Sequence, residues 1–384
     1  MKILKGYQFR MYPNDTQKKL IEKSFGTYRF IYNHFLNEKQ NEYKETGKSK
    51  TAYEQIKMLP LLYEDYPFLK EVDSCILRCS IFNLEDAYKR FYKGYGYPNF
   101  KKKGIHDSFR TNNIRNTYKG KEYNSIKLDI INKTITLPKL KEVKIRGYRS
   151  KKEIKGRIIN ASIRKEANRY YVSVLVEEEQ QVLTKPYVNA IGLDLGIKDN
   201  IITSDGYKIN FPDITRKIKR IKGLQKGLSR CKINSNNRYK LKIKIQRLYL
   251  KIRNARKYFI HNITNKIVKE NDIISVETLD IKRMYQNKYI AKSLTNIPLR
   301  EIIEKLRYKT KWNNKVLIEI DKYYASSQCC NKCGYKNKKV KDLNIRDWIC
   351  PKCNNKHDRD INASINIMYE GIIKYMKSKE HQAI

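Results

Sequence analysis

Four cysteines and three acids are the residues of this sequence best placed to do chemistry. Cys330 and Cys333 flank Asn331-Lys332, and Cys350 and Cys353 flank Pro351-Lys352. Each Cys-x-x-Cys pair sits on a short knuckle that points both thiolates the same way. Two such knuckles close a tetrahedral, all-cysteine zinc site. Protein fills every ligand position, so this metal is structural and catalysis lies elsewhere. The competing reading is four free or disulfide-bonded cysteines, and it is the weaker one because nothing here looks secreted. Cys329 adjoins a ligand and could compete for the metal, but Cys330 has the knuckle spacing. Cys75, Cys79 and Cys231 read as buried or incidental thiols.

Asp194 interrupts the apolar run Ile191–Ile197, Glu277 ends Ile273–Val276, and Asp360 opens a final helical stretch just past the cysteines. A carboxylate in an apolar element is costly to bury unless a cation compensates it. Any one of the three alone reads as capped or salt-bridged. Together, in so basic a chain, they read as converged ligands for two Mg²⁺ ions, which prefer oxygen donors. Such a pair, about 4 Å apart, activates a water and stabilises the leaving 3′-oxygen in phosphodiester hydrolysis.

The charge names the partner class. The 384 residues carry 83 Lys+Arg against 39 Asp+Glu, a formal +44. Such an excess repels itself in the folded state, and a polyanion relieves it with counterion release, so nucleic acid is the default partner. A small basic protein of the ribosomal kind is the bland alternative, but it would be shorter and lack the acids. The 30 tyrosines suit base stacking, although Tyr, Lys, Asn and Ile also abound in AT-rich genomes. No signal peptide and no membrane-spanning stretch is expected, and a reducing, intracellular compartment follows.

The elements that position these residues are legible from periodicity. Lys5–Met11 alternates as a half-buried strand, and Asn14 with Gln17 forms a capping box for a helix to about Phe35. Further helical stretches surround Tyr53 and begin near Asp73, ending at Gly94-Tyr95-Gly96. After the basic turn Phe100–Gly104 the period changes to two, with strands over Ile126–Ile131, Thr134–Leu137, Val143–Arg146, Ile158–Arg164 and Tyr170–Val176. A strand, inserted helices and then more strands predict a small N-terminal β-barrel with a helical insertion. Glu177–Gln181 and Lys185-Pro186 read as a linker. Beyond it lie an apolar strand over Ile191–Ile197 with Asp194 in its middle, and strands at Asn200–Thr203, Asp272–Glu277 and Val316–Ile320. Helices cover about 214–228, 239–269 and 298–312, the first two with faces rich in Lys and Arg (Lys217, Lys219, Arg220, Lys226, Lys240) that are free to meet a phosphate backbone. The last helix begins at Asp360 with Ile361, Ile365 and Ile372 inward.

The wording of these motifs resembles a known group. Asp194 in IGLDLGIKD, Glu277 in IISVETLDIKRM and Asp360 in HDRDINASINI look like the three acidic motifs of a RuvC-type, RNase H-like nuclease. The ribbon lies between the second and third. The N-terminal YQFRMYPNDTQ and RFIYNHFL, the FKKKG turn and the DSFRT segment are similar to the same group, the TnpB/OrfB family of transposon-encoded proteins, relatives of type V CRISPR effectors. The extra Cys329, and Ala363-Ser364 where two alanines are commoner, are the departures.

The resemblance implies a multidomain chain. A β-barrel (about 1–12 and 97–183) with a helical insertion (about 13–96) binds RNA and DNA. An RNase H-like α/β nuclease domain (184–384) carries a zinc ribbon at about 323–357. It implies an RNA-guided DNA endonuclease with Asp194, Glu277 and Asp360 as Mg²⁺-binding catalytic acids, and Cys330, Cys333, Cys350 and Cys353 as zinc ligands. Asp358 is a second nearby acid, and Asp360 is preferred because it heads the final helix. Tyr53, Ser74 and Arg78 align with readers of a short motif beside the target. Lys101, Lys102 and Lys103 of the basic turn read, from the net charge, either as a phosphate-tracking surface or as an ordinary solvated one. The implied partners are a guide RNA from the transposon end and double-stranded target DNA, in the cytoplasm of a prokaryote, with no membrane and no obligate protein partner. A nuclease-inactive binding protein, a strand-transfer transposase and a compact CRISPR effector remain alternatives.

Overall fold

The structure, a computed structural model, describes residues 1–118, 121–147, 154–180, 186–278, 284, 286, 298–342 and 344–380. The chain falls into two compact units, Met1–Gln180 and Gln181–Ile384.

In the first unit β1 (Lys2–Tyr12) is central to a seven-stranded antiparallel sheet. Its companions are β2 (Ser108–Asn112), β5 (Lys127–Asp129), β6 (Thr134–Leu137), β7 (Lys141–Arg146), β8 (Arg157–Glu166) and β9 (Arg169–Glu179), in the order β2-β8-β9-β1-β7-β6-β5. Alternation along β1 buries Phe9 and Met11 on one face. The two edges meet just beyond β2, where the side-chain oxygen of Asn113 accepts from the Ile126 N–H at 2.9 Å and the Ile114 carbonyl accepts from the Ser125 N–H. The strands β3 (Arg115–Tyr118) and β4 (Lys121–Asn124) form a separate ladder. The expected linker at Glu177 is instead strand: β9 runs on to Glu179, opposite Lys2, because Lys5 and Tyr7 of β1 hold Glu178.

The capping box is present: Asn14 accepts from the Gln17 N–H, and the Gln17 side chain accepts from the Asn14 N–H. The helix it starts, α1 (Asp15–Thr46), runs well past Phe35. Neither glycine nor proline occurs between Phe35 and Gly47, whose φ of 68° is the left-handed cap that ends it. The helices α2 (Ala52–Lys57), α3 (Leu59–Asp65) and α4 (Ser74–Phe91) complete the insertion. Asp73 caps α4 and accepts the Thr111 hydroxyl at 2.6 Å, tying that helix to β2. Helices and sheet share one core, including Phe9, Phe35, Leu77 and Val174.

The second unit is built on a five-stranded sheet of β10 (Ala190–Asp194), β11 (Ile201–Thr203), β12 (Lys208–Ile209), β13 (Ile273–Glu277) and β14 (Val316–Ile320), ordered β12-β11-β10-β13-β14. β10, β13 and β14 are parallel, and β11 is antiparallel to both of its neighbours. Parallel neighbours need crossovers. The pair α5 (Thr215–Ser229) and α6 (Asn236–Glu270) lies between β11–β12 and β13, and α7 (Leu299–Trp312) between β13 and β14. Ile221, Ile245 and Ile252 form a small core between α5 and α6, leaving Lys219, Arg220, Lys226, Lys242 and Arg247 exposed. After β14 come β15 (Asp347–Ile349) and β16 (Lys356–Asp358), then α8 (Arg359–Glu380), which lies against β10, β13 and β14.

α8 does not present the three isoleucines expected. Its buried residues are Arg359, Asn362, Ala363, Ser364, Asn366, Ile367 and Gly371, and Ile361, Ile365 and Ile372 are only half-buried. Close backbone approach explains this. A Cβ on Gly192 would lie 1.9 Å from the Ser364 carbonyl oxygen, and one on Gly371 would lie 1.9 Å from the Ser275 hydroxyl. Branched side chains have no room at that contact. Gly192→Ala is expected to lift α8 from β10 at a cost of about 1–3 kcal/mol, read as a lower melting temperature. An unchanged melting temperature would show that the contact tolerates a methyl group.

Candidate functional site

Asp194 ends β10 and Glu277 ends β13. The parallel register Leu193↔Val276 puts both acids at the carboxyl ends of adjacent strands, where open α/β sheets carry their sites. Asp360, in the first turn of α8, is near enough for its charge to act on Asp194. The Asp194 carboxyl is pushed up to about 7, first by burial, then by the charges of Glu277 and Asp360; Arg359 and the Leu195 N–H oppose this. Burial also raises Glu277.

The two acids of the third motif separate by role. Asp358 Oδ1 accepts from the N–H groups of Asp360 and Ile361, both at 3.0 Å, so it caps α8. Its other oxygen accepts from Lys208 at 2.6 Å. Against the cost of burial, these partners hold Asp358 below the ordinary carboxylate range. Asp360 instead takes the Arg346 guanidinium at 3.1 Å. Arg346 lies just before β15, and the sequence reading passed over it because one arginine among so many carries no signal.

All four cysteine Sγ atoms lie within 4.8 Å of one another, alone in this among groups of three or more His, Cys, Asp or Glu in the described residues. Cys330 and Cys353 are 3.6 Å apart, and Cys333 and Cys350 3.5 Å. Tetrahedral Zn–S bonds of about 2.3 Å put sulfurs about 3.8 Å apart, so the cluster fits that ion. Cys329 stays out of the cluster; its carbonyl accepts from the Asn362 and Asn366 side chains, both at 2.7 Å. The Asn331 N–H donates to Asn362, and Asn366 also donates to Ser326. The first knuckle is thereby bolted to the first two turns of α8. On β16, His357 packs on Trp348 and sets Nε2 at 3.1 Å from Cys330 Sγ. The i, i+4 asparagines of the NASIN segment were the available sign of this clamp, since amides are poor occupants of a helix interior unless bonded.

The candidate nucleic-acid residues all lie in the first unit. Tyr53 on α2 is 71% exposed, its ring edge-on to Phe82. Ser74 and Arg78 lie one turn apart on the exposed side of α4, and Lys102 and Lys103 are exposed. Lys101 is different: its ammonium lies 4.0 Å from the Tyr32 ring centroid and 4.7 Å from that of Tyr28, and burial lowers it to about 8. Asn33 exchanges two hydrogen bonds with the Lys101 backbone, and Arg29 pairs with Asp107. The RFIYNHFL, FKKKG and DSFRT segments therefore meet at one place.

Three family models match in chain order. They are described as a helix-turn-helix domain over residues 1–48, a "Probable transposase" (OrfB, IS605) over 173–288 and a Cas12f1-like TNB domain over 300–367. The chain belongs to the TnpB/OrfB family. In this TnpB/OrfB chain, the stretch matched as helix-turn-helix is one strand and one long helix. A protein of Streptomyces pristinaespiralis named "Putative RNA-guided DNA endonuclease" is 28% identical over 383 residues, 96% of this chain and 90% of its own. One of Escherichia coli K12, with the same name and the designation InsQ, is 28% identical over 393 residues, 97% and 93% of the two chains. The TnpB/OrfB fold is also similar to a chain in the cryo-EM structure of a Cas12f1–sgRNA–target DNA complex. The TM-score is 0.54 at 12% identity, over 96% of this chain and 99% of that one. The class of fold is thus mixed α/β and multidomain, with a four-cysteine cluster. No described helix is long and apolar enough to cross a membrane.

Proposed function

We propose that this chain is an RNA-guided DNA endonuclease that cleaves by metal-dependent phosphodiester hydrolysis, with Asp194, Glu277 and Asp360 as its metal-binding acids. The observation that carries this is electrostatic. Asp194 and Glu277 end adjacent parallel strands, and burial first, then repulsion by the charges of Glu277 and Asp360, pushes Asp194 up to about 7. A fold does not assemble such repulsion without something to offset it. Divalent cations do so, and the donors are all oxygen, as Mg²⁺ prefers. Bound there, Mg²⁺ would activate water and stabilise the leaving oxygen. The chain's own parts are the two strand ends, which fix Asp194 and Glu277, and α8, which delivers Asp360. Arg346 holds Asp360 in place, and Asp358 is kept out of the acid set by its cap and Lys208.

The strand order, with β11 reversed beside three parallel strands, supports reading residues 184–384 as an RNase H-like nuclease domain. The seven strands of the first unit, meeting at Asn113, support reading residues 1–183 as a barrel that grips nucleic acid around a helical insertion. Its partners are a guide RNA drawn from a transposon end and double-stranded DNA, and it works in the cytoplasm. Base pairing selects the target, and Tyr53, Ser74 and Arg78 read a short adjacent motif.

Sequencing RNA that copurifies with the protein tests the guided part of this reading. We expect one RNA with a constant scaffold and a terminal variable segment encoded beside the transposon end. Only mixed cellular fragments would contradict it.

A further inference from the structure

Residues 88–103, YKRFYKGYGYPNFKKK, alternate rings and cations and contain no acid. They span the end of α4 and the turn after it. The turn folds back on the helix. Tyr97 OH lies 3.0 Å from Tyr88 OH, and the Tyr97 ring stands edge-on to Phe91 with centroids 5.1 Å apart. Beyond this frame the outer rings face water: Tyr92 is 77% exposed and Tyr95 65%. Lys89, Arg90 and Lys93 beside them are exposed as well. At its far end the segment is moored by Lys101 over Tyr28 and Tyr32, and by Asn33.

We infer that this platform stacks unpaired nucleotides of a single-stranded nucleic acid, with Tyr92 and Tyr95 as the stacking rings. A flat ring face suits any base, and exposed aromatics set among cations are how sequence-tolerant single-strand binders work. The cations without acids match a phosphate chain. A duplex hides its base faces, so the rings ask for unpaired nucleotides. The inference rests on the nucleic-acid reading above, but not on cleavage.

The test uses the full chain without added Mg²⁺ and three labelled oligomers of equal length and charge: oligothymidylate, oligouridylate and an abasic strand. Wild type is expected to bind the base-bearing strands more tightly than the abasic one. Tyr92→Ala/Tyr95→Ala should cut that preference by about fivefold or more, leave abasic binding unchanged and, as both sites are exposed, keep the melting temperature. The base-bearing oligomer that loses more identifies the natural strand as DNA or RNA, and equal losses mean the platform takes either. A preference that is the same in variant and wild type overturns the inference. Loss of cleavage by Asp194→Ala is read separately, so either idea can fail alone.

Discussion

Asp194→Asn is expected to make the metal-free protein more stable at pH 8 while abolishing its nuclease activity. In the folded chain the Asp194 carboxyl titrates at about 7 rather than 3.8, first because it is buried and then because Glu277 and Asp360 repel it. A raised carboxyl means that the folded state holds its proton more tightly than the unfolded state. Its stabilising contribution is complete below about pH 4 and is lost as pH rises through 7. At pH 8 the wild type bears the whole penalty, at most about 4 kcal/mol for a pKa moved this far. Asparagine is neutral throughout. The variant's advantage in melting temperature should therefore be absent near pH 4, grow across pH 4–7 and level off above. Mg²⁺ should reverse the order by stabilising the wild type alone. Cleavage should fall by more than about a hundredfold, since even outer-shell losses at metal sites cost about 10–100-fold. An advantage over wild type no larger at pH 8 than at pH 4 would remove the electrostatic argument for the site.

Removing zinc, or replacing Cys350 with serine, should disable cleavage without touching most of the nucleic-acid surface. Cys350 is fully buried in the small ribbon core with Cys330, Val340 and Trp348. That core is too small to stand alone, and structural zinc supplies about 10–16 kcal/mol in comparable small domains. When the knuckles part, the Cys329 carbonyl leaves Asn362 and Asn366, and β16 no longer leads rigidly into Asp360. Cleavage should fall about a hundredfold or more, tryptophan emission should change as Trp348 loses its packing on His357, and RNA binding should persist. Full cleavage by zinc-free protein would show that the ribbon does not position Asp360.

Much of this was legible in the sequence, for physical reasons that can be named. The capping box at Asn14 and the apolar run ending in Glu277 are local signals, and a helix and a strand form where they lie. The run Ile191–Ile197, by contrast, reads as one strand with Asp194 in its middle, and the strand stops at Asp194. The Cys-x-x-Cys pairs are equally local, and their sulfurs cluster. What was not legible depends on partners distant in the chain. Glu177–Glu179 look like a polar linker until β1 is laid beside them. Three isoleucines look like the inner face of α8 until Gly192 and Gly371 bring backbone too close for them. Arg346 and the paired asparagines acquire meaning only once the ribbon is folded onto α8.

The most direct test of the central claim is cleavage of a plasmid by the purified protein–RNA complex in Mg²⁺, with the guide segment either matched or mismatched to the plasmid. We predict that wild type cuts the matched plasmid only, and that Asp194→Ala, Glu277→Ala and Asp360→Ala each cut neither while still retaining the RNA. Cutting that ignores the guide, or that survives loss of any one of the three acids, would contradict the account.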